Sequence, residues 1–241
     1  WLFAPARLDG SNPIPLRLEE HLFYTFISVA IAAVIAVPLG FLIGHTGTGR
    51  DFAVGLSGAA RALPSFGLIL FLVLLIGVAP VQLQFAAITA FVLLAIPSTL
   101  AGAYAGIEAV DRRVIDAARA VGMTEWQILW KVEVPLGLPL LIGGLRASTL
   151  QVVATATLAA YVGLGGLGIY IFRGLPLQRY DEMLGSALLI AALALLLDAL
   201  FALIQQFVIP RGVSAGRAHE VRTSSPRRRA AAGSTAQQER G

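Results

Sequence analysis

Few side chains in this sequence are typed and spaced to do chemistry, and most of those fail on context. Gly163-Leu164-Gly165-Gly166-Leu167-Gly168 matches G-x-G-x-x-G, a pattern that cradles a pyrophosphate only where a strand turns into a helix of a βαβ unit. Here it follows a long apolar run, so it predicts a chain turn and no cofactor. A P-loop places its lysine directly after a glycine-rich turn; the single lysine, Lys131, follows Trp130. ATP chemistry is therefore not encoded in this chain. His21, His45 and His219 are too scattered for a ligand cluster, and there is no cysteine for a disulfide or thiolate site. No nucleophile, base and metal set emerges, which argues against a membrane enzyme. What remains is a pair of opposite charges inside apolar runs, Arg146 and Asp198, and one charged stretch, IDAARAVGMTEWQILWKVEVPLGLPLLIGGLRAS, over 115–148.

That stretch changes character halfway. Val114, Ala117, Ala118 and Val121 recur at helical spacing while Asp116 and Arg119 take the other face. Gly122 can adopt the left-handed conformation that closes such a helix. Thr124-Glu125-Trp126-Gln127 then has the form of a capping box, with Met123 and Ile128 at the positions of a hydrophobic staple. The spacing predicts two short helices meeting at a tight corner around Gly122 to Thr124. A rigid knob of this kind, exposing Ala117, Ala118 and Met123, suits docking into a groove of another protein better than service as a solvated connector. Pro135 and Pro139 follow where the chain turns apolar again, a place where proline is tolerated in a first turn or as a kink.

The elements that position these groups follow from composition. Of the 241 residues, 57% are hydrophobic and 13% charged, about half the charge of a typical soluble domain, and mean hydropathy is +0.78. Lipid is the expected surrounding for most of the chain. Apolar runs near the ~20 residues needed to cross a bilayer lie at about 21–44, 62–79, 83–107, 134–160 and 184–209, predicting an all-α polytopic bundle of about five transmembrane helices. The first run is too long and too far from the start for a cleaved signal. Residues 1–20, with Pro5, Pro13 and Pro15, read as an irregular external lead, and 210–241 as a disordered tail. The opening Trp1 implies that the natural start lies upstream.

Five crossings put the termini on opposite sides. With the amino terminus out, the inner segments hold Arg50, Arg61, Arg112, Arg113, Arg119, Lys131 and seven tail arginines, against Arg7, Arg17, Arg173 and Arg179 outside. The positive-inside rule then puts the carboxyl terminus and the 108–133 loop in the cytoplasm. The net charge of +4 thus reports membrane orientation, with no nucleic-acid partner; Arg227, Arg228 and Arg229 could touch anionic lipid.

Asp116-Ala117-Ala118, Gly122 and Leu138-Pro139 resemble the EAA loop of binding-protein-dependent ABC transporter permeases, with Asp116 where that family usually has Glu. The strings DAARAVGMTEWQILWKVEVPLGLPLLIGGLR and ATATLAAYVGLGGLGIYIFRGL carry the likeness, which extends over 21–212, and the second is most similar to the osmoprotectant branch that imports glycine betaine, choline, carnitine and proline betaine. The resemblance implies a MetI-like permease fold, a bacterial inner-membrane location and a subunit that is not an enzyme. It also implies three partners: a separate ABC ATPase, an extracytoplasmic substrate-binding protein and a second permease, either identical or paralogous. Asp116, Ala117, Ala118, Arg119, Gly122, Met123 and Thr124 become the ATPase-coupling residues.

Arg146 and Asp198 each cost at least a few kcal/mol unpaired at their depth; the simplest arrangement pairs them across adjacent helices, the other being contact with substrate. Phe66, Phe71, Tyr104 and Tyr161 are aromatics that could meet a quaternary ammonium through cation–π attraction, or simply pack and anchor. Pro38, Pro64 and Pro97 are expected to kink their helices. Methionine or another amino acid is the alternative cargo, and an ion-coupled carrier the alternative class, though such carriers use intramembrane acids in matched broken helices.

Overall fold

The computed structural model describes residues 10, 12–51, 53, 55, 58 and 64–208; most of the amino-terminal lead and the whole tail expected at 210–241 lie outside the described residues. Among the described residues all regular structure is helical. The long helices are α1 (Ile14–Thr46), α3 (Pro80–Glu108), α6 (Val134–Ala159) and α8 (Tyr180–Val208). Shorter ones are α2 (Ser65–Ile76), α4 (Arg112–Ala120), α5 (Glu125–Ile128) and α7 (Ile169–Gly174).

Among the described residues, four helices are long and apolar enough to cross a membrane, the third being the continuous run Glu125–Val162. α2 lies within the crossing expected at 62–79; its 12 residues reach about 18 Å at 1.5 Å per residue, and because α1 and α3 end side by side, with Gly44 against Ile107, the chain must return to the opposite end of the bundle between them. The start of α2 is set by Pro64, which is its N-cap and so cannot kink it, and its end by Gly77. Pro38 and Pro97 do lie inside helices. The expected irregular lead ends earlier than residue 20. Pro15 sits in the first turn of α1, where its missing N–H costs nothing, and Arg17 bonds Glu20 one turn on at 2.7 Å.

A helix in lipid gains nothing from burying leucine against leucine, so packing depends on how closely backbones can approach. α3 lies between α1 and α6 and meets each through small residues. A Cβ on Gly106 would lie 2.6 Å from the Gly137 carbonyl oxygen, and one on Gly102 would lie 2.6 Å from the Gly144 Cα. On its other side, Gly40 of α1 lies against Ala103 and Gly44 against Ile107. Larger side chains fill the gaps beyond these contacts. Phe91 and Ile69 are fully buried with Val152 and Ala156 in one cluster, and Phe41, Ile107, Leu129 and Leu141 form a second.

α8 is attached differently. Leu193 and Leu197 join Val153, Leu167 and Tyr170, while Leu184, Leu188, Leu195, Leu196, Leu200 and Phe207 remain exposed. Gln205 Nε2 donates to the Pro139 carbonyl of α6 at 2.9 Å, beside Gly143.

Gly143 and Gly144 therefore differ sharply. Gly144→Ala drives a methyl into the α3 backbone and should destabilise the protein by about 1–3 kcal/mol, as overpacking does. Gly143→Ala meets nothing nearer than 3.9 Å and should be neutral; thermal unfolding in detergent distinguishes the two.

Candidate functional site

The charged stretch folds as a capped elbow between α3 and α6. α4 opens on Asp111, whose carboxylate accepts from the Arg113 N–H at 2.9 Å, a cap the sequence reading passed over. It closes at Gly122, with φ of +86°. There the Gly122 N–H donates to the Arg119 carbonyl and the Met123 N–H to that of Ala118, the paired bonds of a Schellman motif. Thr124 starts α5 as the capping residue: its Oγ1 accepts from the Gln127 N–H, and its own N–H donates to Gln127 Oε1 at 3.0 Å. Every turn of the corner is thus hydrogen-bonded locally.

Side chains then lock the corner. Arg119 Nε and Nη2 donate to the two oxygens of Glu125 at 2.8 and 3.0 Å, and Nη1 to Asp116 at 3.4 Å. Glu125's carboxyl is held below its ordinary range, chiefly by this hydrogen bonding, and Arg119 is raised above its own by the same bond. Both are solvated, so their worth lies more in geometry than in stability.

The second helix is not short and separate, as the spacing predicted. α5 runs through a π turn, Leu129–Glu133, straight into α6. Pro135 has no N–H to give the Lys131 carbonyl, and the ladder widens before it, with the Val134 N–H donating to Leu129. This turn places Glu133, 3% exposed, against the end of α1: His45 Nδ1 donates to Glu133 Oε2 at 2.6 Å while its Nε2 faces Glu125 at 3.5 Å. A polar cavity of about 290 Å³ lies here, lined by His45, Glu108, Asp116, Arg119 and Glu133 among others. Arg50 bonds Glu108 across 3.0 Å. Nothing local in the sequence joins His45 to Glu133.

The exposed surface of the elbow differs from expectation at one residue. Ala117 is exposed and Met123 half-buried, but Ala118 is only 8% exposed, because the apolar stripe of α4 turns partly inward. Val121 and Trp126, at 79% and 69% exposed, extend the outward surface instead. Their signal was a large apolar group beside the helix stop and another in a polar first turn. Trp126 stacks edge-on against Trp130, and Trp130 against Phe41 of α1.

Elsewhere, the structure brings Arg146 and Asp198 together in a two-pronged contact, Nε to Oδ1 at 2.5 Å and Nη2 to Oδ2 at 2.6 Å. The glycine-rich turn is pinned to α1. The Gly166 N–H donates to Glu20 at 2.8 Å and the Leu167 N–H to His21 Nδ1, whose other nitrogen donates to the Val153 carbonyl. Donors a phosphate would need are already used. Of the four aromatics, Phe66 and Tyr161 meet at 5.4 Å between ring centroids, Phe71 is exposed on α2, and Tyr104 lies at the elbow end of α3.

A helical bundle closed on glycine contacts, with helices long and apolar enough to cross a membrane, has the architecture of a polytopic membrane protein. Residues 36–212 match the family described as binding-protein-dependent transport system inner membrane component. The chain belongs to that family. It is 34% identical over 197 residues to the glycine betaine/carnitine/choline transport system permease protein OpuCB of Bacillus subtilis, covering 82% of this chain and 89% of that one. It is 32% identical to the carnitine transport permease protein OpuCB of Listeria monocytogenes over 87% of this chain and 94% of that one. The choline permease OpuBB of Bacillus subtilis is likewise 32% identical, over 82% and 89%. In fold, it matches a structure of the MetNI methionine ABC transporter in an inward-facing form, with TM-score 0.71 and 22% identity over 81% of this chain and 95% of that one. These relatives are transport subunits, so the chain is a permease component and not an enzyme, and the MetI-like fold expected from the sequence is the one found.

Trypsin cleavage after Arg119 should report the corner. Glu125→Gln removes the charge that holds Arg119 and should speed cleavage several-fold without altering the bundle's unfolding temperature. Because Glu125 is lowered, its contribution is complete above the ordinary value of 4.5 and is lost only as pH falls below it. Hydrogen exchange over 119–127, corrected for intrinsic rates, should therefore quicken as pH falls below 4.5.

Proposed function

We propose that this chain is the membrane-spanning subunit of an ATP-driven importer for quaternary-ammonium osmoprotectants, the class that includes glycine betaine, choline and carnitine. The relatives above 30% identity carry these solutes in their names, whereas the methionine transporter shares only the fold, so an amino-acid cargo is the weaker reading. The carrying observation is the elbow: a corner fully capped and ion-paired, presenting Val114, Ala117, Val121 and Trp126 outward.

The elbow docks on a separate ABC ATPase, helix in groove, with Asp116, Ala117, Arg119, Gly122, Met123 and Thr124 shaping the contact and Ala118 packing beneath it. Closure of two ATPase subunits on nucleotide pushes the elbows of two permease chains, identical or paralogous, and reverses access to a central path. An extracytoplasmic binding protein delivers solute to the opposite end. The amino terminus faces out and the carboxyl terminus in, as the distribution of basic residues favours. An ion-coupled carrier is disfavoured because Asp198 is neutralised by Arg146.

Reconstitution with its ATPase and binding protein tests this. Choline, glycine betaine or carnitine should stimulate ATP hydrolysis and accumulate, and methionine should not. Gly122→Trp puts a bulky side chain at a φ of +86° and should lower uptake at least tenfold while hydrolysis persists; unchanged uptake contradicts the docking role. The chain lacks cysteine, so Val121→Cys gives a unique label, expected to react only from the cytoplasmic side.

A further inference from the structure

We propose that Phe66, Tyr161 and Phe172 form an open aromatic box at the end of the bundle opposite the elbow, and that it takes the quaternary-ammonium head of the solute in transit. This rests on the substrate class proposed above and adds a site to it.

The rings come from three segments. Phe66 lies in the first turn of α2, Tyr161 in the 3₁₀ turn Ala160–Val162 that ends α6, and Phe172 in α7. Tyr161 is the shared wall. Phe66 stands at 75° to it and Phe172 at 68°, each with centroids 5.4 Å away. Rings set nearly at right angles make corners, and a cation seated in such a corner can lie within ~6 Å of more than one ring. Phe172 escaped the sequence reading because nothing local links it to Tyr161.

Exposure and charge point the same way. Tyr161 is 60% exposed and Phe66 and Phe172 are half-buried, so the rings are open to a solute arriving at this end. The nearest arginine in sequence, Arg173, is committed elsewhere: it bonds Glu182 at 3.1 Å and lies over the Tyr170 ring. Arg179 also bonds Glu182 at 3.0 Å. Two acids of this end are engaged too, Glu182 by those arginines and Glu20 by Arg17 and the Gly166 N–H. A cation entering here meets ring faces, with these two carboxylates already paired.

That chemistry selects a tetraalkylammonium. It has no N–H to donate and is weakly hydrated, so an ordinary hydrogen-bonding site does not hold it, whereas aromatic faces do. Binding by rings alone is weak, which a transit site requires, since solute must leave as readily as it enters. The box is held in place from behind, because the turn between Tyr161 and Phe172 is bonded to Glu20 and His21 of α1.

The test uses the assembled permease and ATPase complex in nanodiscs, without binding protein, with radiolabelled choline and its uncharged carbon isostere 3,3-dimethylbutan-1-ol as competitor. Tyr161→Leu should weaken choline binding about tenfold, the size of a partly desolvated cation–π contact, while Tyr161→Phe stays within about threefold. The isostere should compete at least tenfold more weakly than choline against the wild type. If Tyr161→Leu fails to assemble, Phe172→Leu should show about a threefold loss. Equal choline binding in the leucine variants, equal potency of the isostere, or no choline binding to the wild type each overturns the box. Should the complete transporter still import choline in those cases, only the box falls; if it imports no quaternary ammonium at all, the substrate class falls with it.

Discussion

The structure depends on backbones that touch. Where Gly102 meets Gly144 and Gly106 meets Gly137, α3 and α6 approach as closely as two helices can, and dispersion between main chains replaces the hydrophobic force that lipid cannot supply. The elbow leaves α3 at Glu108 and enters α6 at Val134. Both of its roots are therefore in helices that cannot slide past each other without a main-chain clash. α1 joins that body through Gly40 and Gly44 on the other face of α3.

α8 follows a different rule. Its attachment to α6 includes the contact of Arg146 with Asp198 and the bond from Gln205 to Pro139, and a long apolar surface is left uncovered. Directional bonds hold register without demanding small residues. Two charges at this depth are costly singly and tolerable together, so the pair fixes the register of α8 along α6 while leaving its other face free for lipid or a second permease chain.

What could be read from the sequence was local. The Gly122 stop and the Thr124 to Gln127 box are written within six residues, and the Arg146 and Asp198 charges stand out against apolar runs. Burial of Ala118 was not legible, because α4 carries an alanine-rich stripe and only the fold-back after Gly122 decides which part of it turns inward. The shortness of α2 was hidden because apolar composition runs on past Gly77 through Val78 and Ala79. The contact of His45 with Glu133 spans 88 positions and follows from how α1 packs, which periodicity does not report.

The π turn shows why such long-range contacts constrain local geometry. In a straight α-helix, residues eight apart such as Glu125 and Glu133 lie about 80° apart around the axis, at about 100° per residue. One imidazole could not then face both. The wider turn over Leu129–Glu133 reduces the rotation per residue and brings Glu133 back toward the face that carries Glu125, and His45 lies against both, at 2.6 and 3.5 Å. Pro135 disfavours the regular ladder, and the His45 contact rewards the irregular one. The elbow is thus anchored at Arg119 on one side and at the end of α1 on the other, which ties it through a short polar chain to the glycine-packed helices.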